Sequence, residues 1–248
     1  MQFTDMIFDL PQDVTRATIG ILGGGGKTSL MHKLGEELSA RDGKVVLTSL
    51  TKSGHSSEHA LHFYADIIAD IGEVDRFKPN PLYIMGRQEA DDKLIGIGEA
   101  ELSTIKRTAN FTIFECDGAR KRPIKAHQPH DPMLPEFTTH AVIVVGADAV
   151  GAKVDGKLVH RPELFREIWN VNANYELEPG FIAKVLTSHY GYLQKVPKGV
   201  HLAYLVNKAD EFPEAARILA KALFKLTDAP VFHGSLEKNE LHRTLHYS

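Results

Sequence analysis

Cysteine is nearly absent from this sequence. Cys116 is the single cysteine among 248 residues, so an intrachain disulfide cannot form and a cysteine-rich metal site is excluded. Long apolar runs are also missing, since none approaches the ~20 residues that a membrane-spanning helix needs. The first residues, MQFTDMIFDLPQD, show no basic segment followed by an apolar core, so no secretory signal peptide is expected. These absences favour a cytoplasmic protein without a membrane partner.

The sequence also has no excess of positive charge. It contains 29 Lys and Arg against 32 Asp and Glu, which gives a formal net charge of −3. A protein that binds nucleic acid through charge usually has a clear basic excess, so nucleic acid is not an expected partner. The 43% hydrophobic and 25% charged residues are ordinary for a globular protein, and the length suits one large α/β domain.

Short apolar segments alternate with helical ones along the chain. The apolar, β-branched segments predict buried strands, namely ATIGIL from Ala17, GKVVLTSLT from Gly43, FTIFECDGAR from Phe111, HAVIVVGAD from His140, VHLAYLVNKAD from Val200 and APVFHGS from Ala229. The alternation predicts a doubly wound α/β fold with a mainly parallel sheet. Residues 150–200 have a mainly helical pattern, which predicts a helical insertion or lid within a single domain spanning 1–248.

A run of glycines follows the first predicted strand, at Gly23, Gly24, Gly25 and Gly26. Glycine loses much conformational freedom on folding, so such a run is expected only where bare backbone is needed. Backbone N–H groups that surround an anion are one such case, and the start of the next helix adds its partial positive charge.

The residues after the glycines make this segment a candidate phosphate-binding P-loop. Lys27 is predicted to reach the terminal phosphates of a nucleotide, and Thr28 is predicted to bind Mg²⁺. Ser29 supplies a second hydroxyl for the loop or the metal shell. The match is incomplete, because the standard pattern has a glycine where this chain has Ile21.

Two carboxylates stand at the end of a later predicted strand. In FTIFECDGAR, alternation places Glu115 and Asp117 on the same side of the strand. Asp117 is predicted to bind the metal directly or through water, and Glu115 to join the metal shell or to position the attacking water. Lys27, Glu115 and Asp117 are therefore the predicted catalytic residues. A solvated acidic turn is the alternative interpretation.

A third segment bears on which base is bound. Asn207, Lys208 and Asp210 lie in the sequence Asn-Lys-Ala-Asp, which resembles the guanine motif of GTPases. A carboxylate can accept from both guanine N1–H and the 2-amino group, whereas adenine offers no such pair of donors. The pattern favours GTP over ATP, and ATP remains the alternative.

Basic residues cluster just after Asp117 and recur at the start of the helical insertion. These residues are Arg120, Arg122 and Lys125 in the first segment and His160 and Arg161 in the second. Arginine forks suit phosphate and carboxylate groups, so the five residues are predicted to hold an anionic second substrate. A solvated loop and ordinary helix capping are the alternatives.

A histidine-rich segment, HSSEHALH, supplies a separate hypothesis. His55, Glu58, His59 and His62 would share one face of a helix and could bind a metal ion. The alternative is a plain polar helix face.

Several of these segments together resemble a known family, the selenium-dependent hydroxylase accessory proteins of the YqeC type. The resemblance covers about residues 15–210 and is strongest in FECDGARKRPIKAHQPHDPMLP and VHRPELF, with GILGGGGKTSLMHKLGEEL and LVNKAD adding to it. It implies a P-loop nucleotide-binding protein that assists the maturation of molybdenum hydroxylases carrying a labile selenium. It also implies that the loop without a glycine at position 21 is normal for the family. This chain departs from the family pattern at Leu50, where a run of threonines is usual.

Together the residues and the resemblance predict a Mg²⁺-dependent GTPase or ATPase with slow turnover that assists the maturation of a selenium-dependent molybdenum hydroxylase. Three alternatives remain open at this stage. One is an ATP-dependent phosphotransferase or ligase acting on a small anion, another is a metal-carrying chaperone, and the last is an adaptor that binds nucleotide without turning it over.

Overall fold

The computed structural model describes residues 2–8, 14–41, 43–51, 53–54, 82–83, 88–89, 93–94, 96–129, 131 and 134–245. Six α-helices occur within these ranges, namely α1 (Phe3–Phe8), α2 (Lys27–Ser39), α3 (Glu99–Thr108), α4 (Pro162–Trp169), α5 (Pro179–Thr187) and α6 (Pro213–Phe224). The strands in the same ranges are β1 (Ala17–Gly23), β2 (Val45–Ser49), β3 (Ser53–Gly54), β4 (Leu82–Tyr83), β5 (Gln88–Glu89), β6 (Lys93–Leu94), β7 (Phe111–Glu115), β8 (Ile124–Lys125), β9 (His140–Gly146), β10 (Val159–His160), β11 (His201–Asn207), β12 (Val231–Ser235) and β13 (Glu240–Arg243). None of the helices in the described ranges is long and apolar enough to cross a lipid bilayer.

The main sheet has eight strands in the order β13-β12-β11-β9-β1-β7-β2-β4. β1 lies inside the sheet and pairs in parallel with β7 on one side and with β9 on the other. The remaining pairs are also parallel, except that β13 runs antiparallel to β12 at one edge. The mainly parallel sheet expected from the alternating pattern is therefore confirmed. Its parallel strands bring their carboxyl ends, and the loops that follow them, to one edge.

Helices cover both faces of this sheet. On one face, Ile19 and Ile21 of β1 belong to a buried cluster with the apolar residues of α1 and α2. On the other face, Leu22 belongs to a second cluster that includes residues of α3, α5 and α6. Side chains of neighbouring residues in β1 thus point to opposite faces of the sheet, because side chains alternate along a strand. On each face they pack against apolar helix surfaces.

The chain between β9 and β11 includes residues 150–200, where the sequence predicts a helical insertion. It holds β10, α4 and α5, and its residues Phe165, Ile182 and Leu186 are buried in the same cluster as the second face of the sheet. β10 pairs in parallel with β8, and this two-stranded sheet sets His160 opposite Lys125. Two basic segments that are far apart in the sequence are thereby brought together. A lid role for the segment stays a prediction.

The elements that were not expected from the sequence include the short helix α1 and the edge strand β13. α1 is held in part by the Glu37 carboxylate of α2, which accepts from the backbone N–H groups of Phe3 and Thr4 at 3.0 and 2.9 Å. The Thr4 hydroxyl donates to the same carboxylate at 3.1 Å. Glu37 and Thr4 are both buried, so these bonds are shielded from competing water.

We expect Glu37→Ala to lower the free energy of unfolding by about 2–3 kcal/mol, because it leaves buried donors of α1 without their acceptor. Glu36→Ala is the matched control, since Glu36 is the exposed neighbour on the same helix and its loss should change stability by no more than about 0.5 kcal/mol. Urea denaturation of the three proteins measures both values. Equal losses in the two variants would show that Glu37 does not anchor α1.

Candidate functional site

The glycine loop, residues 23–26, leaves β1 inside the sheet and leads directly into α2. Gly23 and Gly25 have φ angles of 99° and 73°, a region that residues with a side chain rarely adopt. A Cβ atom at Gly23 would lie 2.1 Å from the Val144 carbonyl oxygen, and one at Gly25 would lie 2.4 Å from the Gly146 nitrogen. The loop therefore needs glycine for its conformation and for its close packing against β9. No side chain of the described residues caps the start of α2, which leaves N–H donors at the helix end.

The carboxylate of Asp117 joins this loop to the end of β7. Asp117 is fully buried, and the Gly23 N–H donates to its two oxygens at 3.0 and 3.3 Å. The Lys27 Nζ lies 3.6 Å from Asp117 Oδ1 and donates a hydrogen bond of 2.8 Å to the Gly23 carbonyl oxygen. Lys27 and Asp117, both expected at this site, are thus in direct contact.

Two further cationic or polar groups surround the Asp117 carboxylate. The Lys125 Nζ lies 3.4 Å from Oδ2, and the His127 Nε2 lies 2.7 Å from the same oxygen. Burial alone would raise the pKa of Asp117, but Lys27, His127 and Lys125 outweigh it and hold that pKa well below its usual value. Asp117 is therefore ionised at neutral pH.

His127 is the main partner of Asp117 that the sequence did not identify. Burial lowers the pKa of His127 below its usual value, although the bond to Asp117 acts in the opposite direction. A neutral ring must carry its proton on Nε2, because the ionised carboxylate can only accept. The ring also meets Tyr192 edge to face, with centroids 4.6 Å apart. His127 thus holds Asp117 in place by a charge-assisted hydrogen bond.

Thr28 and Glu115 form an oxygen-rich pair at the mouth of the glycine loop. The Thr28 hydroxyl donates a short hydrogen bond to Glu115 Oε1, and Lys27 Nζ lies 3.9 Å from Glu115 Oε2. Thr28 is exposed and Glu115 is partly exposed, whereas Asp117 is enclosed by protein partners. Hydroxyl and carboxylate oxygens suit Mg²⁺, which keeps several waters and needs an open site. The geometry favours Thr28 and Glu115 for such an ion, and direct binding by Asp117 stays a prediction. Ser29 is exposed in the first turn of α2.

The Asn-Lys-Ala-Asp segment meets the glycine loop through its first residue. The Asn207 side-chain amide donates to the Gly25 carbonyl oxygen at 2.8 Å and accepts from the Leu236 N–H at 3.0 Å. Asn207 thus links the ends of β1, β11 and β12. Lys208 forms an ion pair of 2.7 Å with Asp148, and Asp210 is exposed. Base recognition by Lys208 and Asp210 stays a prediction.

A cavity of about 550 Å³ lies next to this site. Its lining includes Gly118, which follows Asp117, together with four of the five predicted second-substrate residues, Arg120, Arg122, His160 and Arg161. We call it the arginine cavity. The fifth residue, Lys125, is fully buried and bridges two carboxylates, with its Nζ 3.4 Å from Asp117 and 3.2 Å from Asp131.

Asp131 supplies negative charge to the lining of the arginine cavity. It forms a short ion pair with Arg161, contacts Lys125, and accepts from the Gln128 N–H at 3.2 Å. Burial would raise the pKa of Asp131, but Arg161 and Lys125 outweigh it and lower that pKa to about 2. Burial and the surrounding cations, Lys125 first, lower the pKa of His160 to about 4, so its ring is neutral at pH 7.

The predicted histidine face lies elsewhere in the chain. His55, Glu58, His59 and His62 fall outside the described residues, so metal binding there stays a prediction. Within the ranges that are described, no group of three or more His, Cys, Asp or Glu side chains is placed to hold a metal ion.

We expect Asp131→Asn to lower the free energy of unfolding at pH 7 by about 3 kcal/mol, because it removes the anion between Lys125 and Arg161. Since the pKa of Asp131 falls from 3.8 to about 2 on folding, its stabilising effect is present above pH 4 and is lost as the pH falls toward 2. The difference between variant and wild type should therefore shrink below pH 4 in urea denaturation. Asp228→Asn is the control, since Asp228 is exposed. A difference that does not change with pH would contradict this account.

Comparison with known proteins agrees with these observations. Residues 19–163, more than half of the chain, match the family model described as YqeC protein. The match includes the glycine loop, Glu115, Asp117 and the arginine cavity as far as Arg161. The chain is also 26% identical over 221 residues to the uncharacterized protein YqeC of Escherichia coli (strain K12), an alignment that spans 85% of this chain and 83% of that protein. The membership expected from the sequence is confirmed: the chain belongs to the YqeC family.

Proposed function

We propose that this protein binds a nucleoside triphosphate with Mg²⁺ at the glycine loop and hydrolyses its terminal phosphate. The observation that carries the proposal is the convergence of Lys27 and Thr28, at the start of α2, on Glu115 and Asp117, at the end of β7. A lysine, a hydroxyl and two carboxylates lie beside the uncapped backbone N–H groups at the start of α2. This combination suits a phosphate chain and its metal ion.

Lys27 is the residue we assign to the phosphates. Its amine donates to the Gly23 carbonyl and lies close to Asp117 and Glu115, so its charge is held at the loop. The Lys27 ammonium has three N–H donors, so it can also donate to a phosphate oxygen, and that bond gains strength because both partners are charged. Asp117 then acts on Lys27 and on the Gly23 N–H as a positioning residue.

Thr28 and Glu115 are the residues we assign to Mg²⁺. They are already hydrogen-bonded to each other, so their oxygens are close enough to share the environment of one ion. A bound Mg²⁺ would neutralise charge on the β- and γ-phosphates. No arginine of the described residues contacts the glycine loop through its side chain, which agrees with slow intrinsic turnover.

GTP is the nucleotide we favour. Asn207 bonds to the Gly25 carbonyl and so places the following residues beside the glycine loop, where the exposed Asp210 can accept from a guanine edge. Lys208, paired with Asp148, would have to turn from that carboxylate to lie over the base. ATP is the alternative if Asp210 does not contact the base.

Assistance in the maturation of a selenium-dependent molybdenum hydroxylase is the biological role we propose. Its support is family membership together with the resemblance of the sequence to hydroxylase accessory proteins of this type. A nucleotide-dependent transfer or ligation involving a small anion is a second candidate, and the arginine cavity beside Gly118 favours it.

We expect purified protein to release phosphate from GTP in the presence of Mg²⁺, and Glu115→Gln to reduce that rate by about 100-fold, since it removes a charge from the metal site. The rate should also require more Mg²⁺ for half-saturation in the variant. Glu36→Gln, on the exposed side of α2, is the control and should behave as wild type. A wild-type rate no faster than the buffer blank would overturn the hydrolase and favour an adaptor.

The base preference has its own test. We expect Asp210→Ala to weaken GTP binding by about tenfold or more and to leave ATP binding unchanged, because adenine lacks the paired donors. Glu211→Ala is the control, since Glu211 is the neighbouring exposed carboxylate. Calorimetric titration measures all the affinities. Equal GTP binding by wild type and Asp210→Ala would remove guanine recognition from this segment.

A further inference from the structure

We infer that the arginine cavity binds the phosphate group of a small phosphate monoester, and that this site is linked to the glycine loop through ion pairs. The first part stands on the cavity itself. The second part rests on the proposed function, because it treats the ester as a second substrate beside the nucleotide.

The cavity presents arginine donors that are free to meet a ligand. Within the described residues, Arg120 has no hydrogen-bond or ion-pair partner, and its side chain is exposed at the cavity. The Arg122 Nε donates to the Gly156 carbonyl oxygen at 2.7 Å, and this bond fixes the guanidinium. The two terminal nitrogens of Arg122 are left to donate to a ligand. Each guanidinium carries five N–H donors in a planar fork, the geometry that phosphate oxygens accept best.

The backbone at these arginines is in an unusual conformation. Arg120 has a φ of 49° and Arg161 a φ of 58°, both in the left-handed region that side chains other than those of Asn and Asp rarely adopt. Such conformations are strained and tend to occur at binding sites, where the surrounding structure maintains them. Two of the three arginines that line the cavity thus stand at strained backbone positions.

The charge around the cavity favours an anion. Asp131 is its one carboxylate among the described lining residues, against three arginines, and it is already bonded to Arg161 and Lys125. A cationic ligand would therefore meet repulsion from Arg120 and Arg122, whereas a dianionic phosphate would be attracted to both. His160, opposite Lys125 in the small sheet, can donate or accept through its neutral ring.

The size of the cavity indicates an ester rather than a free ion. Its volume of about 550 Å³ is in the range of sites for small organic ligands and far exceeds that of one phosphate group. The lining of the cavity also contains uncharged residues, among them Pro162 and Thr51, against which an organic moiety can pack. We therefore assign the phosphate to the arginines and the organic part to the remaining space.

A chain of ion pairs runs from the half-buried Arg161 at this cavity to the glycine loop. Arg161 pairs with Asp131, Asp131 with Lys125 at 3.2 Å, Lys125 with Asp117 at 3.4 Å, and Asp117 with Lys27 at 3.6 Å. A phosphate bound to Arg161 weakens the ion pair between Arg161 and Asp131. The balance of Lys125 between Asp131 and Asp117 then changes. The backbone adds a second link, because the Gly25 N–H donates to the Arg122 carbonyl at 3.1 Å. Binding at either site should therefore alter affinity at the other, and by the same factor.

The test is calorimetric titration of the full chain with phenyl phosphate and, separately, with inorganic phosphate. We expect phenyl phosphate to bind, Arg120→Gln to weaken that binding by about tenfold, and Arg107→Gln, an exposed arginine of α3, to leave it unchanged. Binding should persist in Lys27→Ala, because Lys27 does not line the cavity and reaches its arginines only through intermediate ion pairs. Absence of binding, or equal affinity in wild type and Arg120→Gln, would overturn the proposal.

The other variants and ligands in these titrations distinguish phosphate binding at the arginine cavity from binding at the glycine loop and from binding of a free oxyanion. Phosphate binding that is lost in Lys27→Ala but kept in Arg120→Gln would place the anion at the glycine loop and overturn the cavity site. Inorganic phosphate that binds as tightly as phenyl phosphate would overturn the ester assignment in favour of a free oxyanion. If phenyl phosphate binds with the expected Arg120 dependence and no nucleotide binds, the cavity site stands and the proposed nucleotide function fails. With both ligands bound, equal nucleotide affinity with and without phenyl phosphate would overturn the link.

Discussion

The buried carboxylate of Asp117 is the interaction on which the rest of the site depends. An isolated charge in a protein interior costs several kcal/mol, so Asp117 can be ionised there only if cations and donors surround it. Its partners are the Gly23 N–H, Lys27, Lys125 and His127, and they belong to the glycine loop and to the segment that follows β7. One charge therefore fixes the conformation of the loop, the position of its lysine and the course of the chain toward the arginine cavity.

The same arrangement divides two carboxylates, Glu115 at the end of β7 and Asp117 just after it, between different tasks. Asp117 lies inside, where its oxygens are bonded to protein groups, and Glu115 lies partly exposed at the mouth, bonded to Thr28. Beyond Lys125 the alternation of charge continues through Asp131 to Arg161. A sheet whose strand ends meet at one edge makes this possible, since β1, β7, β9 and β11 each place one part of the site there.

Local patterns in the sequence predict much of this molecule. The glycine run, Lys27 and the apolar spacing of α2 indicate a strand, a turn and a helix without reference to the rest of the chain, and the mainly parallel sheet follows from repeated buried strands. Long-range contacts were not predictable in this way: α1 has six residues and depends on Glu37, more than thirty positions later. His127 and Asp131 likewise look like ordinary loop residues until the fold places them against Asp117 and Lys125. The sequence marked Lys125 as basic, but only the fold places it in a buried position between the carboxylates of Asp117 and Asp131.

The central claim is that the glycine loop holds the phosphates of a nucleotide, and direct titration tests it. GTP and ATP would each be titrated into the protein in a calorimeter with and without Mg²⁺, alongside Lys27→Ala and the control Lys33→Ala, a second lysine of α2. The account predicts Mg²⁺-dependent binding of at least one triphosphate, weakened by about 100-fold in Lys27→Ala and unchanged in Lys33→Ala. Failure of the wild-type protein to bind either nucleotide, or equal binding by Lys27→Ala, would contradict it.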